Sequence, residues 1–477
     1  MPWARSAFPA LGYFYGCAAV VLALNIIPAV SGTYHLIHVI YTAALITCMF
    51  PFFLFLIHPR ERLPFFEIIC LLYGLQYATF PFSGLSPDSI FEYLTYKDLI
   101  YPATLTFFGV LTLVVGYYTR PVELFLRMIL PLRFDWEPRS AKMIAVLFLI
   151  AGFAGLALLK TGHSFVGGGQ IIAFTSNFGV IGILTLFLLQ LRGQLGLWAA
   201  LGLWLGYVPL YLALAISGGN SGPIALFALA LGLIYIGERR RVPWTAILIV
   251  LLFLFPFMFA KYQYRDLVWQ GGKARFDTVD QAFHNVQTFA DLAAQTASFH
   301  EDKLAFALHV IFVRFDISYI FAHVVKTSPS QVPFLDGQSY GDVLWKVIPR
   351  LLLPDKPDPG YGQLFGHMYY ILSPDDLTTS INFPQMVEMY VNFGAPGVII
   401  GMFLLAQIYR ILTYFLNQQR QGDWIAVFAA SVFANECRIE SNFSLVVAGV
   451  LYHVILLMLI GFFIRVLPQR QRAVLSR

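Results

Sequence analysis

The sequence predicts an all-α polytopic membrane protein with about twelve transmembrane helices and one large external, periplasmic loop domain. Three observations carry that expectation. Of 477 residues, 58% are hydrophobic and 12% charged, against roughly 45–50% and about 25% in soluble domains. Apolar runs of spanning length recur almost from end to end, and the basic residues gather in alternate connections between them. Helices are expected because barrel strands would read as about ten alternating residues, and only helices and closed barrels satisfy their backbone in lipid.

In chain order the runs fall near 8–30, 36–57, 64–82, 98–119, 142–160, 169–191, 195–216, 221–237, 243–262, 394–415, 423–438 and 443–464. Each suffices, or nearly so, to cross a hydrocarbon core of about 30 Å. The first follows a lone Arg5 and is too long for a signal-peptide core, so it reads as a retained span. Eighteen basic residues, among them Arg60, Arg62, Arg239 to Arg241 and the four arginines from Arg465 on, occupy one alternate set of connections. The short loops of the other set hold three: Lys97, Lys160 and Arg438. That asymmetry places both termini in the cytoplasm of a multi-pass membrane protein. The net charge of +5 then follows from topology and implies no nucleic acid.

The remaining ten basic residues lie between Lys261 and Lys356, on the opposite side. The chain therefore divides into spans one to nine (1–262), an external domain (263–385) and spans ten to twelve (386–477). The run 304–325 is long enough to cross but carries Arg314 and Asp316 near its middle. Each charge there would cost about 2.5–3.5 kcal/mol on insertion scales, so the run reads as a helix lying on or dipping into the outer face. Cys17, Cys48, Cys70 and Cys437 have no CxxC or ligand spacing, which argues against a disulfide framework or a zinc site.

Ionisable groups beside a membrane are the first candidates for chemistry. Arg265, Arg314, Arg350 and Lys356 fall in the external segment, where arginine can grip phosphate oxygens with paired hydrogen bonds. The plain alternative for each is a solvated or snorkelling cation. "FANECRIESNF" closes span eleven with Arg438 and Glu440, where Glu436 and Glu440 share a helical face, or else form a simple hairpin. "SGGNSGP", 217–223, reads as an anion-binding turn or a plain Gly-rich one. In "FPQMVEMYVNFGAPG", Glu388 falls about where the chain meets the bilayer, and partial desolvation would suit it as a general base, with His367 in reserve. An interfacial glutamate paired with an arginine is the alternative. No P-loop, HExxH or GxSxG motif occurs.

Many spans, a large late external loop, "IPR" followed shortly by "PDKP", then Glu388 just before "NFG..G": together these resemble the Wzy-type oligosaccharide repeat-unit polymerases of O-antigen and exopolysaccharide synthesis. The specific part is about 348–401. Asn220 stands where relatives often carry an arginine, and no RX10G pattern starts at Arg350. The phosphate-holding cations are therefore assigned by position. The resemblance implies metal-free glycosyl transfer, with no cofactor, at the outer face of the inner membrane. Undecaprenyl-pyrophosphate-linked oligosaccharide is donor and acceptor, and a chain-length regulator and a flippase are partner proteins. Arg265, Arg314, Arg350 and Lys356, with Arg438 and Glu440, would hold pyrophosphate and sugar; Glu388 or His367 would accept the proton. The rivals are an O-antigen ligase and a transporter or flippase of lipid-linked sugars. A transporter would show broken spans with charges near mid-membrane, whereas the sequence gathers them at the outer interface.

Overall fold

The computed structural model describes residues 16–17, 33–57, 63–83, 91–119, 138–161, 169–217, 222–251, 279–296, 315–341, 361–377, 379–381, 383–417, 430–433 and 439–451, with isolated positions at 122, 264, 343, 345, 348, 353, 355, 427 and 455. Every regular element among them is helical. In order these are α1 (Thr33–Ile57), α2 (Phe65–Tyr77), α3 (Phe80–Ser83), α4 (Tyr96–Thr119), α5 (Pro138–Thr161) and α6 (Gly169–Leu191). There follow α7 (Leu197–Ile216), α8 (Gly222–Arg239), α9 (Val279–Thr296), α10 (Ser318–Thr327), α11 (Tyr361–Met368) and α12 (Gln385–Asn417). Among the described residues six helices are long and apolar enough to cross a membrane: within α1, α4, α5, α6, α7 and α12. The runs 8–30 and 423–438 lie almost wholly outside the described residues, as do the later parts of 243–262 and 443–464.

The third run differs from its expected form. Its helix α2 stops at Tyr77 after 13 residues, and the chain resumes as α3 at Phe80. An interrupted helix leaves carbonyls without intrahelical partners. One of them, Gln76 O, takes the Ile317 N–H at 2.9 Å, so the segment leading into α10 is seated on the break. The far end of α10 is fastened by Lys326, which pairs with Asp98 at 2.9 Å. His323 lies between them, its Nε2–H given to Tyr369 O at 2.7 Å and its Nδ1 accepting from the Tyr93 hydroxyl.

Small residues set the closest helix contacts. A Cβ on Gly152 of α5 would fall 1.9 Å from the Gly179 backbone nitrogen of α6, and one on Gly155 would fall 2.8 Å from that of Ser176. These two helices pack backbone to backbone, the contact that glycine permits in apolar surroundings. In the same way α4 and α12 run parallel, with Gly109 against Val398 and Gly116 against Phe403 and Ala406. Gln407 Nε2 donates to Gly116 O at 2.7 Å.

The run expected to begin span ten at 394 is broken. Gly394 has φ 64° and ψ −151°, a region reserved for glycine. Behind it the chain doubles back. A Cβ on Gly397 would fall 2.4 Å from Met389 O, and one on Gly401 would fall 2.6 Å from Met389 Sδ. Met386 and Val398 both touch Gly109, midway along α4, although twelve residues of unbroken helix would separate them by about 18 Å. Residues 385–393 are thus a half-helix that rises from mid-height of the bundle, and 395–417 is the span that descends beside it.

Two carbonyls are freed by this reversal. Asn392 O would normally accept from residue 396, but Pro396 has no N–H. Asp336 N–H donates to it at 3.2 Å, and Leu335 N–H donates to Val391 O at 3.0 Å. The two turns also interlock through glycine, with Phe334 against Gly394 and Phe393 against Gly337. Replacing Gly394 by Ala forces a side chain into the glycine-only region, with its Cβ 3.1 Å from Phe334 Cζ. It should destabilise by about 1–3 kcal/mol, read as a lower melting temperature of the purified protein.

Candidate functional site

The half-helix 385–393 is buried nearly all round, yet it carries polar residues at Gln385, Glu388 and Asn392. Spacings of three and then four put them on one helical face. Each fastens a different part of the chain. Gln385 Oε1 accepts from Tyr73 Oη at 2.6 Å and from Tyr409 Oη at 3.4 Å. Asn392 Oδ1 accepts the Gly337 N–H at 3.0 Å, which fixes its amide so that Nδ2 donates both to Ser339 Oγ and to Glu388 O, each at 2.8 Å.

Glu388 is the centre of the arrangement, at 0% exposure. Ser339 Oγ accepts from Asn392, so its own proton is free for Glu388 Oε1 at 2.7 Å. The other oxygen, Oε2, takes the Phe443 N–H at 2.5 Å. Both carboxylate oxygens thus accept a hydrogen bond, and hydrogen bonds to charged groups contribute about 1.5–3 kcal/mol each. The local dipoles agree in sign. Glu388 lies in the first turn of its own half-helix, and Phe443 opens the helix 443–451, so two positive helix ends face one negative charge.

Aromatic rings close over the group. Tyr340 lies stacked at 6.3 Å from Phe393 and edge-on at 5.6 Å to Phe443. Burial, and then the Glu388 charge, push its phenol well above the ordinary range, so Tyr340 remains a neutral lining group. Of the amide groups that begin the half-helix, Gln385 N–H donates to Ile439 O at 3.4 Å, while Tyr77 Oη faces those of Met386 and Val387 without a well-formed hydrogen bond.

The expected site residues fare differently. Glu388 is brought together with the segment 335–339 and with Phe443, near mid-height of the bundle, because Gly394 reverses the chain before the descending span begins. Glu440 is exposed, on the turn that leads to Phe443. His367 is half-buried on α11, and no described contact joins it to Glu388. Arg265, Arg314, Arg350, Lys356 and Arg438 lie outside the described residues. Among the described residues no group of three His, Cys, Asp or Glu could hold a metal. Sequence reasoning missed Ser339, Gln385 and Asn392. The 3-and-4 spacing in "QMVEMYVN" was the available signal for the latter two.

These features define a class: a polytopic helical membrane protein whose bundle encloses a carboxylate where a half-helix meets the start of another helix. Within that class the chain belongs to the family described as domain of unknown function DUF8712, whose model matches residues 128–469. The matched stretch includes Ser339, Glu388, Asn392 and Phe443. No curated protein and no solved structure matches the chain.

Asn392→Asp removes the donor that orients Ser339 and sets a second carboxylate beside Glu388. It should destabilise by about 2 kcal/mol or more, whereas Ser339→Thr keeps the hydroxyl and should stay within about 1 kcal/mol. Thermal melting of the purified variants checks both.

Proposed function

We propose that this protein is a metal-independent glycosyltransferase that polymerises undecaprenyl-pyrophosphate-linked repeat units into a surface polysaccharide. The observation that supports the reading best is the Glu388 cluster, in which a buried carboxylate from the "VEMYVNFG" segment is held by the late loop and by the final hairpin. A buried, ionised side chain inside a bundle is expensive, and such groups are kept where substrates pass.

In the proposed reaction the acceptor sugar hydroxyl attacks the anomeric carbon of the growing glycan. The bond from that carbon to the pyrophosphate oxygen breaks, and its electron pair leaves with undecaprenyl pyrophosphate. Glu388 accepts the hydroxyl proton, a task typically worth about 10²–10⁴-fold in rate. On this reading the acceptor approaches the carboxylate past the turn at Asp336 and Gly337, with φ 48° and 90°, which is seated on the half-helix. Arg265, Arg314, Arg350 and Lys356 neutralise the leaving pyrophosphate from the external side, with Arg438 and Glu440 at its edge. The reading includes an inner-membrane location with cytoplasmic termini, and a chain-length regulator and a flippase as neighbours.

One observation favours a second reading, movement of the same lipid-linked sugar across the membrane. Half-helices that meet at mid-height around a polar group are the usual architecture of transport sites. Reconstitution of the purified protein with lipid-linked repeat unit distinguishes the two. Polymerase activity gives a ladder of products, reduced by at least about 10²-fold in Glu388→Gln at unchanged protein level. Transbilayer movement without a ladder would replace the polymerase reading with the transport one. In cells, single repeat units attached to the surface lipid in the Glu388→Gln strain fit a lost polymerase, while none attached fits a lost ligase.

A further inference from the structure

Away from Glu388, a second polar cluster is enclosed where α10 begins. Asp316 is 8% exposed, Ser318 1%, Tyr41 0% and Gln76 8%. Asp316 Oδ1 accepts the Ser318 N–H at 2.9 Å. Its other oxygen, Oδ2, has no hydrogen-bond partner, and neither has Gln76 Oε1; the Ser318 hydroxyl is turned toward both Asp316 and Tyr41, but neither hydroxyl makes a well-formed hydrogen bond. The residues are neighbours: Tyr41 on α1 faces Asp316 and Ser318, and Gln76 at the end of α2 accepts the Ile317 N–H at its backbone carbonyl. No cationic side chain lies against Asp316 among the described residues.

Each buried polar atom left without a partner costs about 1–3 kcal/mol, and an ionised carboxylate costs more. Four such oxygens on adjoining residues therefore call for an occupant. All four are hard oxygen donors, one of them anionic, the ligand set of an alkali or alkaline-earth cation and unsuited to a soft metal. A single carboxylate among neutral oxygens balances one positive charge. We propose that Asp316, Ser318 and Tyr41, with Gln76 adjoining, form a binding site for a monovalent cation of the sodium class, which locks the start of α10 to α1 and α2.

The site has a defined dependence on pH. Burial pushes the Asp316 carboxyl up to about 7 in the absence of a cation. Among the described residues the titratable group facing it is the phenol of Tyr41 on α1, which in turn faces Tyr319 on α10. His38 lies one turn before Tyr41, its ring set edge-on against Phe80. With the folded value raised above the unfolded one, the folded protein holds the extra proton between about pH 4 and 7. Stability from this group then falls as pH rises through that window, and a bound cation restores it above pH 7.

The test is thermal melting of the purified full chain in detergent, at fixed ionic strength, in sodium chloride against choline chloride. At pH 8.5 sodium should raise the melting temperature saturably, by about 3 °C or more. At pH 5.5, with Asp316 protonated, the difference should vanish. Asp316→Asn should abolish the sodium effect at pH 8.5, and Ser318→Ala, a milder change, should shift its midpoint to higher sodium. Equal melting in the two salts at pH 8.5 overturns the proposal, and so does a sodium effect that survives in Asp316→Asn. A melting temperature that follows pH but ignores sodium makes the group a proton site and overturns it equally.

Discussion

The arrangement depends on one backbone constraint, the break at Gly394 and Pro396. Proline removes the amide that Asn392 O would need, and glycine supplies the torsion that lets the chain reverse. Inside a membrane a freed carbonyl must find a partner within the protein. The segment 335–337 provides the donors, so an otherwise irregular loop is held at the bundle by two main-chain hydrogen bonds and by Asn392. Ser339 is delivered to Glu388 as a consequence. Geometry at one glycine thus decides which loop reaches which carboxylate.

The charge of Glu388 is accommodated by the same construction. In a continuous span a glutamate at this position would face lipid or apolar side chains with nothing to offset its desolvation. The doubled-back half-helix instead turns its positive end inward and meets the beginning of a second helix at Phe443. Neutral donors and helix ends together stand in for part of the hydration that burial removes. The carboxylate also couples three stretches far apart in sequence: Ser339 lies 49 residues before it and Phe443 lies 55 residues after it.

The helical class and most of the described spans were legible because length and hydropathy alone determine them. The match was close where helix and apolar run have nearly the same bounds, as in α4, α5 and α6. It failed where tertiary contacts decide. The break after Tyr77 is filled by Ile317, some 240 residues on; Pro81, which has no N–H for Tyr77 O, punctuates it locally but does not reveal what fills it. "NFGAPG" carries such punctuation too, but as letters it marks equally well the entry of a span and a reversal. Glu388 was legible as an unusual residue, and its depth was not, because depth follows from that reversal. Ser339 left no trace in pattern, being an ordinary loop serine, and the Phe443 donor is a backbone group that every residue but proline possesses.

The separation of Glu388 from Phe443 also has a meaning in time. Ribosomes add about 5–20 residues per second, so a gap of 55 residues delays the second donor by about 3–11 s after the glutamate is made. During that interval Ser339 is already synthesised while the Phe443 N–H is not, so a chain shortened before Phe443 lacks one of the donors that reach Glu388.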